Sequence, residues 1–287
     1  MMPAWTQTAQ LFGTHFGGVM IESNDFYLRI FENHLKVRTI GRTGPGPVLL
    51  FLHEALGCIG MWKGFPEELC QAAGLPGLVY DRVGHGESSP LSVPIGPRRS
   101  DYLHREAQEW LPAVLERLDL KRVVPVGHSD GGSIALLYAA AFPESVECLI
   151  TEAAHIFVEP VTRQGIRRVV QTYESTDLKQ RLAKYHGDKT DALFRAWCET
   201  WLSHEFADWN IEAELSSLGC PALIMQGADD EFGSMAQVNG IVAGAAGPAQ
   251  PLIMQECGHI PHLQARQRTL AAMRDFLAQQ GISRTAH

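Results

Sequence analysis

Residues 123–142 read VVPVGHSDGGSIALLYAAAF. The first four residues are the compact apolar run of a buried strand, and the run after Ser133 is apolar over the length of a helix. Between them stands Gly127-His128-Ser129-Asp130-Gly131, which has the form G-x-S-x-G. A serine presented as a nucleophile from a sharp strand-to-helix turn crowds the positions two before it and two after it. Glycine occupies both. The helix beginning just past the serine points its positive end at the same spot, where an oxyanion would form. The pattern alone is common by chance, and its position between a strand and a helix is what gives it meaning.

Outward from this point, strands and helices alternate. Residues 26–40 contain two short alternating runs around Glu32-Asn33 and are expected to form an antiparallel hairpin. After Gly44-Pro45-Gly46-Pro47 comes the apolar strand Val48–His53, then a helix near 61–73 stopped by Gly74 and Pro76. Leu78-Val79-Tyr80 is the next strand, and a helix from Asp101 as N-cap to about Leu118 leads into the strand at 123–126. Leu149-Ile150 is followed by a purely helical, charged and tryptophan-bearing stretch from about 155 to 215. The alternation resumes with Pro221–Gln226, a helix near 234–244, the strand Leu252–Gln255 and a final helix over about 262–280. This order predicts an α/β fold with a mostly parallel, doubly wound sheet. Residues 1–154 and 216–287 are expected to form its core, with 155–215 as a helical cap inserted in it.

The chain resembles the α/β-hydrolase family over nearly its whole length. The resemblance rests on the elbow at Ser129 and on the loop His53-Glu54-Ala55-Leu56-Gly57. It also rests on the turn from Asp81 to Ser88, on Gly227-Ala228-Asp229-Asp230, and on Gly258-His259-Ile260-Pro261-His262. It implies a serine hydrolase with Asp230 as the acid and His259 as the base, in the family's Ser–acid–His order. It also implies an oxyanion hole from the backbone amides of Ala55 and Asp130. Relatives commonly carry His-Gly where this chain has His53-Glu54, so Glu54 departs from the pattern and puts a carboxylate beside the hole.

Chemistry asks for the same partners. A serine hydroxyl is a weak nucleophile at neutral pH and needs a base, which in turn needs an orienting carboxylate. His259 follows a strand and a glycine, which brings it to the carboxyl edge of the sheet, where Ser129 also lies. Asp229 remains an alternative acid and His262 an alternative base. His53, His85 and His128 are read as loop-tying residues. The cap aromatics Phe194, Trp197, Trp201, Phe206 and Trp209 are expected mainly to pack, with one or two, Trp197 and Trp201 among them, facing substrate.

The expected reaction is hydrolysis of a small ester or related carbonyl compound with an apolar part, through an acyl-enzyme, with no metal or organic cofactor. The family also contains carbon–carbon bond hydrolases of ring-cleavage products, which commonly show Asn where this chain has His128. It contains weakly catalytic ligand-binding members as well. Dehalogenases and epoxide hydrolases of the family use an aspartate nucleophile, which Ser129 argues against.

The bulk properties agree with an enzyme of small molecules. A net charge of −8 with no long basic run disfavours nucleic acid and anionic membranes as partners, and a homodimer stays open. The six cysteines have no metal-ligand spacing and read as reduced packing residues, Cys58 being the one nearest the site. The first residues lack a basic start with a continuous apolar stretch, and no window reaches ~18 apolar residues. A cytoplasmic location is therefore expected.

Overall fold

The computed structural model describes residues 21–42, 44, 46–92 and 96–282. The reading of the first residues as lacking a leader, and the punctuating Pro45, lie outside them. Eight strands form one sheet: β1 (Ser23–Ile30), β2 (Asn33–Ile40), β3 (Val48–Leu52), β4 (Gly77–Tyr80), β5 (Val123–His128), β6 (Leu149–Glu152), β7 (Ala222–Gly227) and β8 (Ala249–Met254). Their spatial order is β1-β2-β4-β3-β5-β6-β7-β8. The pairs β1–β2 and β2–β4 are antiparallel and every other pair is parallel. Ile30 pairs with Asn33, so the hairpin turns at Phe31-Glu32, one residue earlier than the sequence suggests, with Phe31 at φ 50°.

The central strands are apolar throughout because both their faces are covered. In β3, Val48, Leu50 and Leu52 enter one core while Leu49 and Phe51 enter the other, the period-two alternation of a strand. The helices are α1 (Phe65–Ala73), α2 (Tyr102–Arg105), α3 (Leu111–Arg117), α4 (Asp130–Ala141), α5 (Pro160–Ser175), α6 (Leu178–His186), α7 (Thr190–Leu202), α8 (Met235–Gly244), α9 (Pro261–Gln264) and α10 (Arg266–Gln279). Helices α1 and α10 cover one face of the sheet, and α2, α3, α4 and α8 cover the other.

The expected continuous helix from 101 to 118 is broken up. A wide π turn at Glu106–Trp110 separates α2 from α3. Pro112 explains it, since its ring has no N–H and clashes with the carbonyl four residues back, so the ladder preceding it must widen. Asp101 stands at the N-cap but makes no capping bond, its carboxylate being held by Arg99.

Helices α5, α6 and α7 form the cap between β6 and β7, and an antiparallel bridge between Phe157 and Asn210 pinches the neck of the insertion. Arg163 of α5 donates to the carbonyls of Trp201, Leu202 and Ser203, tying the end of α7 to its neighbour. Phe194 stacks on Tyr173 at 3.7 Å, while Phe206 and Trp209 stack on each other at 5.3 Å, so these aromatics pack the cap itself. No helix of the described residues is long and apolar enough to cross a membrane.

The sheet positions the site through its connectivity. From β3 the chain crosses by α1 to β4 on one side, then by α2 and α3 to β5 on the other. Strand order reverses there, opening a crevice past the carboxyl ends of β3 and β5.

Candidate active site

Ser129 sits at the end of β5 with φ 54° and ψ −118°, a backbone conformation that a side-chain-bearing residue rarely adopts. The flanking glycines make that turn passable. A Cβ on Gly131 would come within 1.9 Å of the Leu52 carbonyl oxygen, and one on Gly127 within 2.2 Å of that of Gly131. The Ser129 amide donates to the Glu152 carbonyl at 2.9 Å, which ties the turn to β6. Helix α4 begins at once, and nearly all of it is buried, so the turn is backed by a packed helix.

Ser129 Oγ lies 2.9 Å from His259 Nε2, and His259 Nδ1 lies 2.9 and 3.0 Å from the two oxygens of Asp230. The carboxylate can only accept, so Nδ1 carries the proton and Nε2 is free to accept from the serine hydroxyl. Asp230 Oδ1 also accepts the amide of Phe232 at 2.8 Å. Burial pushes the Asp230 carboxyl up, but the bonds from His259 and from Phe232 outweigh it and hold the group below its ordinary value. The neighbouring Asp229 is exposed, and its amide bonds the Cys257 carbonyl. His262 is occupied elsewhere, with its amide and Nδ1 on Glu152 Oε2 at 2.9 and 3.0 Å. The geometry thus brings together Ser129, His259 and Asp230 and leaves Asp229 and His262 outside the line.

Ala55 and Asp130 flank Ser129 on the wall of the same cavity. Asp130 is the first residue of α4, so its amide has no acceptor inside the helix. The other polar residues read as loop ties are buried and bonded to backbone. His53 donates from Nδ1 to the Glu54 carbonyl, His85 bonds the carbonyls of Val83 and Ala55, and His128 donates from Nε2 to the carbonyl of His259 at 2.8 Å. Cys58 is buried, its thiol pushed up to about 12 by desolvation, which makes it a packing residue and no nucleophile at neutral pH.

Glu54 is accommodated by folding back. A Cβ on Gly57 would fall 2.2 Å from its Oε2, so only glycine leaves room for the carboxylate, and the same oxygen lies 3.5 Å from His128 Nδ1. Burial opposes charge on both groups, yet the His128 ring holds the Glu54 carboxyl well below its ordinary range, and the Glu54 carboxylate raises the His128 ring above its own. Because Glu54 is depressed, its contribution to stability is complete above the ordinary 4.5 and lost as pH falls through the folded value. Because His128 is raised, its contribution is complete below 6.5 and lost as pH rises through the folded value. Both windows are open together around pH 5–6.5. Glu54→Gln is therefore expected to cost about 1–3 kcal/mol at pH 6 and less at pH 9, with a modest change in turnover. Melting curves of the variant and the wild type at the two pH values check this, and a stability gap that widens with pH would remove His128 as the partner.

A cavity of about 170 Å³ opens above Ser129 and His259. Its walls are Glu54, Ala55 and Leu56 from the loop after β3, Ile166, Val169, Trp197 and Trp201 from the cap, and Phe232 and Ile260 beside the histidine. Glu54, Trp197 and Trp201 are thus all on the cavity wall. His155 and Thr162 were not foreseen. Both line the cavity and both donate to the Phe232 carbonyl, His155 from Nε2 at 3.1 Å and Thr162 from Oγ1 at 2.6 Å. His155 is held neutral by burial and by His259. Its place just past β6, at the carboxyl edge that carries the other residues, was the only signal for it.

The sequence profile of the alpha/beta hydrolase fold family matches residues 47–198, more than half of the chain. The chain belongs to this family. It is 30% identical over 162 residues to human serine hydrolase BPHL, covering 53% of each chain. It is 27% identical over 245 residues to the 2-hydroxy-6-oxononadienedioate/2-hydroxy-6-oxononatrienedioate hydrolase of Escherichia coli K12, covering 75% of this chain and 81% of that one. An uncharacterized Mycobacterium tuberculosis protein, Rv2715, is 32% identical over 111 residues, and this chain spans only 30% of its length. Among solved structures, a serine hydrolase of Cycloclasticus zankles superposes with a TM-score of 0.73 at 14% identity, over 90% of this chain and 98% of that one.

Proposed function

We propose that the protein is a serine hydrolase acting by acyl transfer on a small ester or related carbonyl compound with an apolar acyl part. The observation that carries this reading is the hydrogen-bonded line Ser129–His259–Asp230 on the floor of an apolar cavity. Ser129 attacks the carbonyl carbon while His259 Nε2 takes its proton, and Asp230 stabilises the imidazolium. The amides of Ala55 and Asp130 receive the oxyanion. His259 then protonates the leaving alcohol, a water molecule deprotonated by the same nitrogen attacks the acyl-enzyme, and the acid departs with Ser129 restored.

The relative in Escherichia coli supports a second reading, hydrolysis of a dioate. The lining weighs against it. None of the described residues around the cavity is a lysine or arginine, while Glu54 and Asp130 are acids. A dianion would enter without a counter-charge and face like charge, which a small, mostly apolar cavity penalises heavily. The volume is about that which holds a benzene ring, so short or ring-sized acyl groups fit and long chains do not.

A panel tests both readings. Acetyl to hexanoyl and benzoyl p-nitrophenyl esters are expected to turn over much faster than the decanoyl ester, with a linear dienedioate poorer still. A preference for the dioate would replace the first reading by the second.

A further inference from the structure

Arg82 lies in the glycine-rich turn after β4, where a charged residue would ordinarily reach solvent, yet only 2% of its surface is exposed. Burying a guanidinium costs several kcal/mol unless its donors are used. Its Nη2 donates to the Glu54 carbonyl at 2.8 Å and to the His53 carbonyl at 3.2 Å. Its Nη1 stands 3.8 Å from Asp130 Oδ2, an ion pair beyond hydrogen-bond reach. Nη1 and Nε make no hydrogen bond among the described residues, so the Asp130 charge is what offsets this end of the guanidinium. One side chain therefore touches the two segments that carry the amides of Ala55 and Asp130.

The peptide between Glu54 and Ala55 is a rigid plane in which C=O and N–H point in opposite directions. The Glu54 carbonyl is held from three sides, by Arg82, by His53 Nδ1 at 2.7 Å and by the Gly57 amide at 3.0 Å. His53 can donate there because its Nε2 accepts the Arg82 amide at 3.1 Å, which fixes the tautomer, and because burial and the Arg82 charge keep the ring neutral. With the carbonyl drawn inward to Arg82, the Ala55 N–H is turned the other way, and Ala55 itself lines the cavity beside Ser129.

The second segment is tied to the cap. Tyr102 donates its hydroxyl proton to Asp130 Oδ2 at 2.7 Å, and Trp201 of α7 donates its indole N–H to the Tyr102 oxygen at 2.9 Å. Hydrogen bonds thus run from a tryptophan on the cavity wall through Tyr102 to the Asp130 carboxylate, which faces Arg82 across a 3.8 Å ion pair, and Arg82 in turn bonds the Glu54 carbonyl. The same contacts offset the Asp130 charge, which would otherwise oppose the negative charge growing at its own amide.

We infer that Arg82 is the positioning residue of the oxyanion hole, and that Trp201 and Tyr102 make its alignment depend on a seated cap. The inference rests on the acyl-transfer reading of Ser129. Its effect belongs to the transition state, so it changes kcat and the affinity for a tetrahedral mimic while leaving ground-state binding in place.

The experiment measures kcat and KM with a short p-nitrophenyl ester. It also measures inhibition by a trifluoromethyl ketone, which becomes tetrahedral on Ser129, and by the amide of the same acyl group, which stays planar. Arg82→Lys keeps the charge and loses the fork, and is expected to lower kcat ~100-fold, the effect of losing one oxyanion donor. Affinity for the ketone should fall by a similar factor, with the amide unaffected. Tyr102→Phe and Trp201→Phe remove one donor each and should each cost ~10-fold in the same two quantities. The double variant should be no worse than the weaker of the two, because both break one path. These conservative variants carry the test if Arg82→Lys does not fold. Unchanged kcat in both aromatic variants, or equal losses for ketone and amide in Arg82→Lys or Tyr102→Phe, which do not line the cavity, overturns the inference. Fluorophosphonate labelling of the wild type, read as a mass increase on Ser129, is the separate control. An unlabelled Ser129 overturns the acyl-transfer reading itself, whereas a labelled Ser129 with indifferent variants overturns only the positioning role.

Discussion

Ser129→Ala is expected to lower hydrolysis of a p-nitrophenyl ester by ~10⁴–10⁶-fold, because in the proposed reaction every later step waits on the acyl bond that this oxygen would form. The fold should survive. Ser129 Oγ contributes one hydrogen bond to His259, worth ~1 kcal/mol, and alanine occupies the turn with no added volume. The strained backbone is held by its surroundings, including the amide bond to Glu152, and does not depend on the hydroxyl. Steady-state rates beside a melting curve decide the matter. An active variant with a normal melting curve would refute the triad.

The second large effect separates two adjacent acids. Asp230→Asn is expected to cost ~10⁴-fold in kcat, since an amide nitrogen facing His259 Nδ1 favours the tautomer whose Nε2 already carries a proton and cannot take one from serine. Asparagine keeps an oxygen for the Phe232 amide, so the loop should hold its shape. Asp229→Asn changes an exposed side chain and should leave the rate within about twofold, as surface substitutions usually do. Equal or reversed losses would move the acid to the earlier position.

Elements whose character is local were legible in the chain. The buried strands at 48–53 and 123–126, the crowding around Ser129 and the helical insertion each follow from a run of side chains or a pair of glycines. The choice between Asp229 and Asp230 was not legible, because one step along a turn sends a side chain to the opposite side. In the structure it is Asp230 that accepts from the amide of Phe232 and faces a histidine 29 residues further along. The widening at Glu106–Trp110 was missed because a proline's effect falls on the turn before it. Arg82 was passed over within a loop of glycines, where charge suggests solvent. Its burial depends on the loop after β3 folding over it, a contact between segments 28 residues apart. His155 and Thr162 are likewise defined by Phe232, 77 and 70 residues away.

The strand order has a consequence in time. Ser129 and the peptides of Ala55 and Asp130 come from β3 and β5, which are neighbours in the sheet and belong to the first half of the chain. Asp230 and His259 follow β7 and β8, which join the growing sheet only through β6 and only after the whole cap has been synthesised. A nascent chain therefore holds Ser129 for more than a hundred residues before His259, its hydrogen-bond partner in the fold, exists. Pairings between segments so distant in sequence form slowly. On refolding, hydrolysis of a p-nitrophenyl ester is therefore expected to return only once β8 has paired with β7 and brought His259 to Ser129.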